Sequence, residues 1–172
     1  LLIEQLVELA AAREAGEIEN TPIVFYDGPL IASFANPLKP ETRERYISTL
    51  SRIVAASHHH EIPLVGYVAG SSATELVKMT RLLLREEFES DRVIPDAHVL
   101  TELMSPWGDT TIPFISKRDG SVDALQATYE GEDYEFRDDI LFSYLNVPPG
   151  AGLDRIEFPG WLCRRDGPDG YE

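Results

Sequence analysis

The sequence predicts an α/β fold in which a mixed β-sheet is flanked by helices. Two observations lead there. Short apolar runs rich in β-branched and aromatic residues, at 22–27, 62–69, 112–116 and 140–147, read as strands. Apolar residues at helical spacing fill 1–15, 41–57 and the stretch after residue 72. Strands and helices interleave in the first part of the chain and strands dominate the rest, so the sheet is mixed rather than purely parallel.

Leu2, Leu6 and Leu9 share one helical face, Ile3, Val7 and Ala10 widen it, and Gly16 ends the helix. Glu4 and Glu8 stand one turn apart on it and point the same way, which in the plain reading is a solvated face. The run Val24-Phe25-Tyr26 leads into Asp27-Gly28-Pro29, the pattern of a buried strand that carries a carboxylate into a tight turn. Such a strand end suits a metal-binding Asp, because the sheet fixes the oxygen and the turn leaves it open. The plain alternative is that Asp-Gly only makes the turn. Ile31 to Ala35 continues apolar and suggests a hairpin partner for this strand. Pro40 opens a helix over 41–57 with Tyr46, Ile47, Leu50, Ile53 and Val54 inward.

His58-His59-His60 reads as a solvated, dipole-favoured helix end, since three adjacent His diverge too far to share one tetrahedral ion. After the strand at 62–69, Gly70-Ser71-Ser72 enters a helix, with Ser72 and Glu75 as a capping box. A small turn of this kind can also cradle phosphate on free N–H groups, but no Walker pattern and no following Lys accompany it. Residues 86–92 form a charged loop, and Asp96 is placed as the N-cap of a short helix over 97–104. Trp107-Gly108-Asp109 makes a turn, the strand at 112–116 ends in the positive pair Lys117-Arg118, and acidic turns cover 130–139. The alternation in Arg155-Ile156-Glu157-Phe158-Pro159 suggests an edge or half-exposed strand.

The 172 residues suit one domain with a sizeable core, spanning 1–172. Residues 1–10 already have helical period with no cap before them, and 166–172 are turn-rich, so the chain is expected to be a piece of a longer protein, cut at both ends. No apolar run is long enough to cross a bilayer. Cys163 stands alone, which excludes an internal disulfide and fits a reducing, cytoplasmic setting. The net charge of −15 argues against a broad basic groove and against acidic membranes. It leaves room for a nucleic-acid enzyme that holds phosphate through divalent metal and a few local Lys or Arg, with weak, salt-sensitive affinity.

The order of motifs resembles the NurA nuclease family, its bacterial branch above all. The matching pieces are Val24-Phe25-Tyr26-Asp27-Gly28-Pro29-Leu30, Ile62-Pro63-Leu64-Val65-Gly66-Tyr67-Val68 with Ser71 and Ser72, and Asp96 with Leu100. They continue with Trp107-Gly108-Asp109 before Pro113-Phe114, and with Phe142-Ser143-Tyr144-Leu145 and Arg155-Ile156-Glu157-Phe158-Pro159-Gly160-Trp161. The resemblance implies a ribonuclease H-like fold and a manganese-dependent deoxyribonuclease, with Mg2+ as the alternative ion. It implies 5′→3′ exonuclease and single-strand endonuclease action in DNA end processing, a homodimer, and a HerA-type hexameric ATPase as partner.

On the same footing, Asp27 matches the family's strand ligand and Glu4 its helix carboxylate, with Glu8 in reserve. Apart from the resemblance, the nuclease reading takes Asp96 as a site neighbour and the positive pair Lys117-Arg118 as a phosphate contact, the plain reading of the pair being an exposed strand end. The family also has an earlier Asp-Gly strand and a later Tyr-Pro segment with a catalytic His. This chain matches neither, and Thr110 stands where Arg is expected. The piece alone is therefore expected to be inactive or weak. The rival reading is a non-catalytic interaction module that keeps the fold. A third is a nucleotide-binding enzyme built on the Gly70-Ser71-Ser72 turn.

Overall fold

The computed structural model describes residues 1–84, 93–104, 107–117, 125–136, 139–147 and 152–163. The charged loop at 86–92, Arg118 and the turn-rich stretch 166–172 lie outside these residues. A five-stranded sheet has the spatial order β1 (Val24–Asp27), β2 (Leu64–Val68), β7 (Leu153–Pro159), β6 (Ile140–Asn146) and β3 (Phe114–Ile115). Only β1 and β2 are parallel; every other neighbouring pair is antiparallel. Among the described residues four α-helices accompany the sheet: α1 (Leu2–Glu14), α2 (Pro40–His59), α3 (Glu75–Leu84) and α4 (Asp96–Leu100). This is the expected mixed α/β class, and α2 is the crossover that parallel strands β1 and β2 require.

The two apolar clusters gather on one face of the sheet. Alternation puts Val24, Tyr26, Leu64, Ile140, Phe142, Tyr144 and Leu153 on that face, and all seven belong to the clusters. Leu6 and Ala10 of α1 and Leu50, Val54 and Ala55 of α2 fill the larger one. On α1, Val7 is exposed rather than inward.

The first strand is not buried on both faces. Strand β1 is an edge, and Ile23 and Phe25 on its other face are exposed, Phe25 to 64%. Nor does 31–35 return as its hairpin partner. Ile31 and Ala32 are fully buried in the core and Ser33–Ala35 forms a 3₁₀ turn. The chain doubles back under β2 instead, and Gly66 makes the room. A Cβ at Gly66 would stand 2.7 Å from the Gly28 carbonyl and 3.0 Å from Leu30 Cγ.

Strand β7, read from its alternation as an edge, is the middle strand of five, and its Arg155 and Glu157 are fully buried. Alternating charges mark a solvated face only when they lack buried partners, and these two pair with each other. The acidic stretch after residue 125 is not a series of turns. It forms a hairpin of β4 (Gln126–Tyr129) and β5 (Glu132–Glu135), closed by Glu130 and Gly131, both at positive φ. Tyr129 and Phe136 pack into the core with α2.

The hairpin also meets the His triplet, so that helix end is partly docked: His58 and His60 are half-buried, while His59 stays exposed as expected. His59 Nδ1 lies 2.9 Å from the Tyr134 hydroxyl and His60 Nε2 3.0 Å from that of Tyr129, while His58 stacks on Trp161. Among the described residues no helix is long and apolar enough to cross a membrane.

Candidate functional site

Strand β1 ends in Asp27, whose carboxylate is exposed at the edge of the sheet. The turn after Asp27 fixes its position. The Gly28 N–H donates to the Tyr67 carbonyl at 2.9 Å, continuing the β1–β2 pairing by one residue. Gly28 has φ 142°, a conformation L side chains rarely adopt, so Gly is what lets the chain turn here. Leu30 and Ile31 are then buried outside any strand, where their N–H groups need acceptors. Both find Glu157 Oε2, at 2.9 and 3.3 Å.

Glu157 belongs to a buried ionic network. Its Oε1 accepts from Arg155 Nε at 2.9 Å, and Arg155 Nη1 lies 2.6 Å from Glu75 Oε2 at the start of α3. Ser116 donates to Glu75 Oε1 at 2.7 Å, and the guanidinium carbon sits 3.7 Å from the Phe142 ring centre. Burial alone would push the Arg155 pKa down, but the carboxylates of Glu157 and Glu75 overcome it and hold it above its usual value.

Asp96 is buried as well. Its oxygens accept from the Leu76 and Val77 N–H groups at 3.0 and 2.9 Å, and from the Tyr144 hydroxyl at 2.9 Å. It therefore caps α3, not its own helix, and faces no open site. Burial, then the Asp96 charge, push Tyr144 up to about 12. The expected capping box is displaced accordingly, since Glu75 turns to Arg155 and Ser116. Nor is the Gly70-Ser71-Ser72 turn a phosphate cradle. The Gly70 N–H is taken by Asp154 at 3.0 Å and the helix start by Asp96, so the protein's own carboxylates stand where a phosphate would. Asp154 also accepts from the Tyr67 hydroxyl, and that hydrogen bond, with burial, raises the Tyr67 pKa.

The remaining expected residues are spread out. Glu4 is exposed on α1, and Glu8 is exposed one turn on. Lys117 follows β3, the edge opposite β1. Strand β3 also runs antiparallel to β1, so Lys117 and Asp27 stand at opposite edges and opposite ends of the sheet. Four strand spacings of ~4.8 Å separate those edges, too far for one phosphate to touch both. Among the described residues no three His, Cys, Asp or Glu side chains converge as metal ligands would. A Mn2+ or Mg2+ ion completed by water and substrate phosphate needs only one or two carboxylates, and Asp27 offers a donor of that kind. Sequence reasoning missed Glu157, Arg155 and Glu75. The one available signal was that Arg155 and Glu157, two apart, must share a face.

A five-stranded mixed sheet flanked by helices is consistent with an α/β nuclease-like fold. The family comparison is specific: the NurA domain model matches residues 1–169, and the chain belongs to the NurA family, a family of nucleases. No curated protein and no solved structure matches the chain.

Proposed function

We propose that the chain is the core of a metal-dependent deoxyribonuclease. It would cut single-stranded DNA and trim 5′ ends in DNA end processing, as a homodimer with a HerA-type hexameric ATPase. Family membership over nearly the whole chain carries the reading. The placement of Asp27, exposed on a strand end whose turn is held from two sides, supports it. Asp27 would hold Mn2+, or Mg2+ in its place, with Glu4 as second ligand and Glu8 in reserve. The bound ion would supply charge stabilisation at the scissile phosphate and a more acidic attacking water. The protein's part is to fix the backbone that carries Asp27, so that its carboxylate is presented at one place on the sheet edge.

The rival, a non-catalytic interaction module, draws on the lack of a three-ligand cluster among the described residues and on the net charge of −15. Calorimetric Mn2+ titration together with cleavage of a labelled single-stranded oligonucleotide separates the two. The nuclease reading expects Mn2+ binding that both Asp27→Ala and Glu4→Ala abolish, with cleavage by this piece weak at most. A folded parent chain that binds no Mn2+ and cuts nothing would support the module once the extended gene product gives the same result.

A further inference from the structure

The chain hides a carboxylate that no solvent reaches and that touches the candidate site only through the backbone. We infer that Glu157 is a positioning residue: it fixes the turn that carries Asp27, and so sets the affinity of Asp27 for its metal. The inference rests on the reading of Asp27 as a metal ligand.

Three observations converge on it. First, one Glu157 oxygen accepts the N–H groups of two successive residues, Leu30 and Ile31, at 2.9 and 3.3 Å. These lie three and four positions beyond Asp27, and Gly28 and Pro29 are all that separates them from it. Secondly, Glu157 is fully buried, and its charge is met by Arg155, itself tied to Glu75. A carboxylate pinned on its far side by a guanidinium is a fixed acceptor, not a mobile one. Thirdly, the turn has little freedom elsewhere. The Gly28 N–H is bound to β2, and the Gly28 carbonyl passes so close to Gly66 that a methyl group there would collide with it. The strand end is thus gripped by β2 before the turn and by β7 after it. Groups hydrogen-bonded directly to a metal ligand change metal affinity by roughly 10–100-fold when altered; Glu157 acts through the backbone one turn further back, so its effect should be smaller.

The experiment uses the whole chain and Mn2+ alone, in three proteins: parent, Glu157→Gln and Asp27→Asn. Each is first shown to be folded by circular dichroism at the titration temperature. Glutamine keeps the volume and one acceptor oxygen but loses the charge that Arg155 holds. Mn2+ affinity is measured by calorimetry, and exchange of the Leu30 and Ile31 amides by NMR. In Glu157→Gln we expect Mn2+ binding weaker by several-fold, short of the roughly 10–100-fold lost with a direct partner of a ligand, faster exchange at Leu30 and Ile31, and unchanged protection along β6. Asp27→Asn should abolish binding while leaving those two amides protected.

If Asp27→Asn abolishes binding but folded Glu157→Gln binds Mn2+ like the parent, Glu157 is structural only and the inference falls while the nuclease reading stands. Should the parent bind no Mn2+, or should Asp27→Asn bind it as the parent does, the ligand assignment and the inference fall together. If Glu157→Gln does not fold, Glu157→Asp decides. It keeps the charge beside Arg155 but draws the carboxylate back by one methylene from Leu30 and Ile31, and parent-like affinity in that variant overturns the inference.

Discussion

Arg155 is the residue on which the buried network turns. It is fully enclosed, lies over the Phe142 ring, and is the counter-charge within reach of both Glu157 and Glu75. A buried ion pair is weak evidence of net stability, but breaking one leaves an uncompensated charge. Arg155→Met keeps an apolar stem against Phe142 and removes the guanidinium that Glu157 and Glu75 share. We expect it to destabilise the fold by about 3–5 kcal/mol, read as a lower urea midpoint with little change in slope. The two residues should also couple. Adding Glu157→Gln to Arg155→Met should cost less than adding it to the parent, because the Arg155–Glu157 pair is then already broken. Additive single effects in that cycle would mean that the pair does not act as one unit.

At the scale of elements, the contact between the end of α2 and the β4–β5 hairpin has a pH dependence whose sign can be worked out. Burial, then the neighbouring His59 charge, hold the His60 pKa below its usual 6.5; Glu130 and Glu14 pull it up and Arg13 pushes it down. A His lowered in the folded state contributes stability that is complete above 6.5 and is lost as pH falls through the folded pKa. Glu132 lies below its usual 4.5, chiefly through the hydrogen bond from Tyr134, and its contribution is lost in the same direction at lower pH. Acid therefore loosens this contact. The thermal midpoint of the parent should drop more between about pH 7.5 and about pH 5.5 than that of His60→Gln. Parallel curves for the two proteins would refute it.

The elements also show where the sequence was legible. Periodicity located α2 and strands β2 and β6 because each has an apolar face of ordinary kind. The Asp27 strand end was visible for the same reason, and Gly28 does make its turn. What failed were choices that depend on distant partners. Arg155 and Glu157 look solvent-facing until Glu75, Leu30 and Ile31 arrive. Asp96 looks like the cap of its own helix until α3 lies over it. The hairpin was hidden by its acidic residues, although Ala127 and Tyr129 before Glu130-Gly131 and Tyr134 and Phe136 after it alternate inward. Long-range pairing of charges leaves no period to read.

The whole molecule sets a constraint that no single site removes. Asp and Glu number 30 against 15 Lys and Arg, so any DNA strand approaches a repelling surface. The one expected cationic contact among the described residues, Lys117, lies at the sheet edge opposite Asp27 and does not offset that field where cleavage would occur. Whatever affinity the chain has for DNA near Asp27 must then come through bound cation. With EDTA present, a labelled single-stranded oligonucleotide should bind no tighter than the weak end of non-specific binding, a Kd on the order of 10⁻⁴ M, and weaker still as NaCl is raised. Mn2+ should tighten binding in the parent, because the ion reverses the local sign of charge at Asp27. It should do so far less in Asp27→Asn, which lacks the carboxylate to hold it. Fluorescence anisotropy reads all of these. Tight binding in EDTA would reveal a basic surface that the described residues do not show. Equal tightening by Mn2+ in parent and Asp27→Asn would move the metal site away from the end of β1.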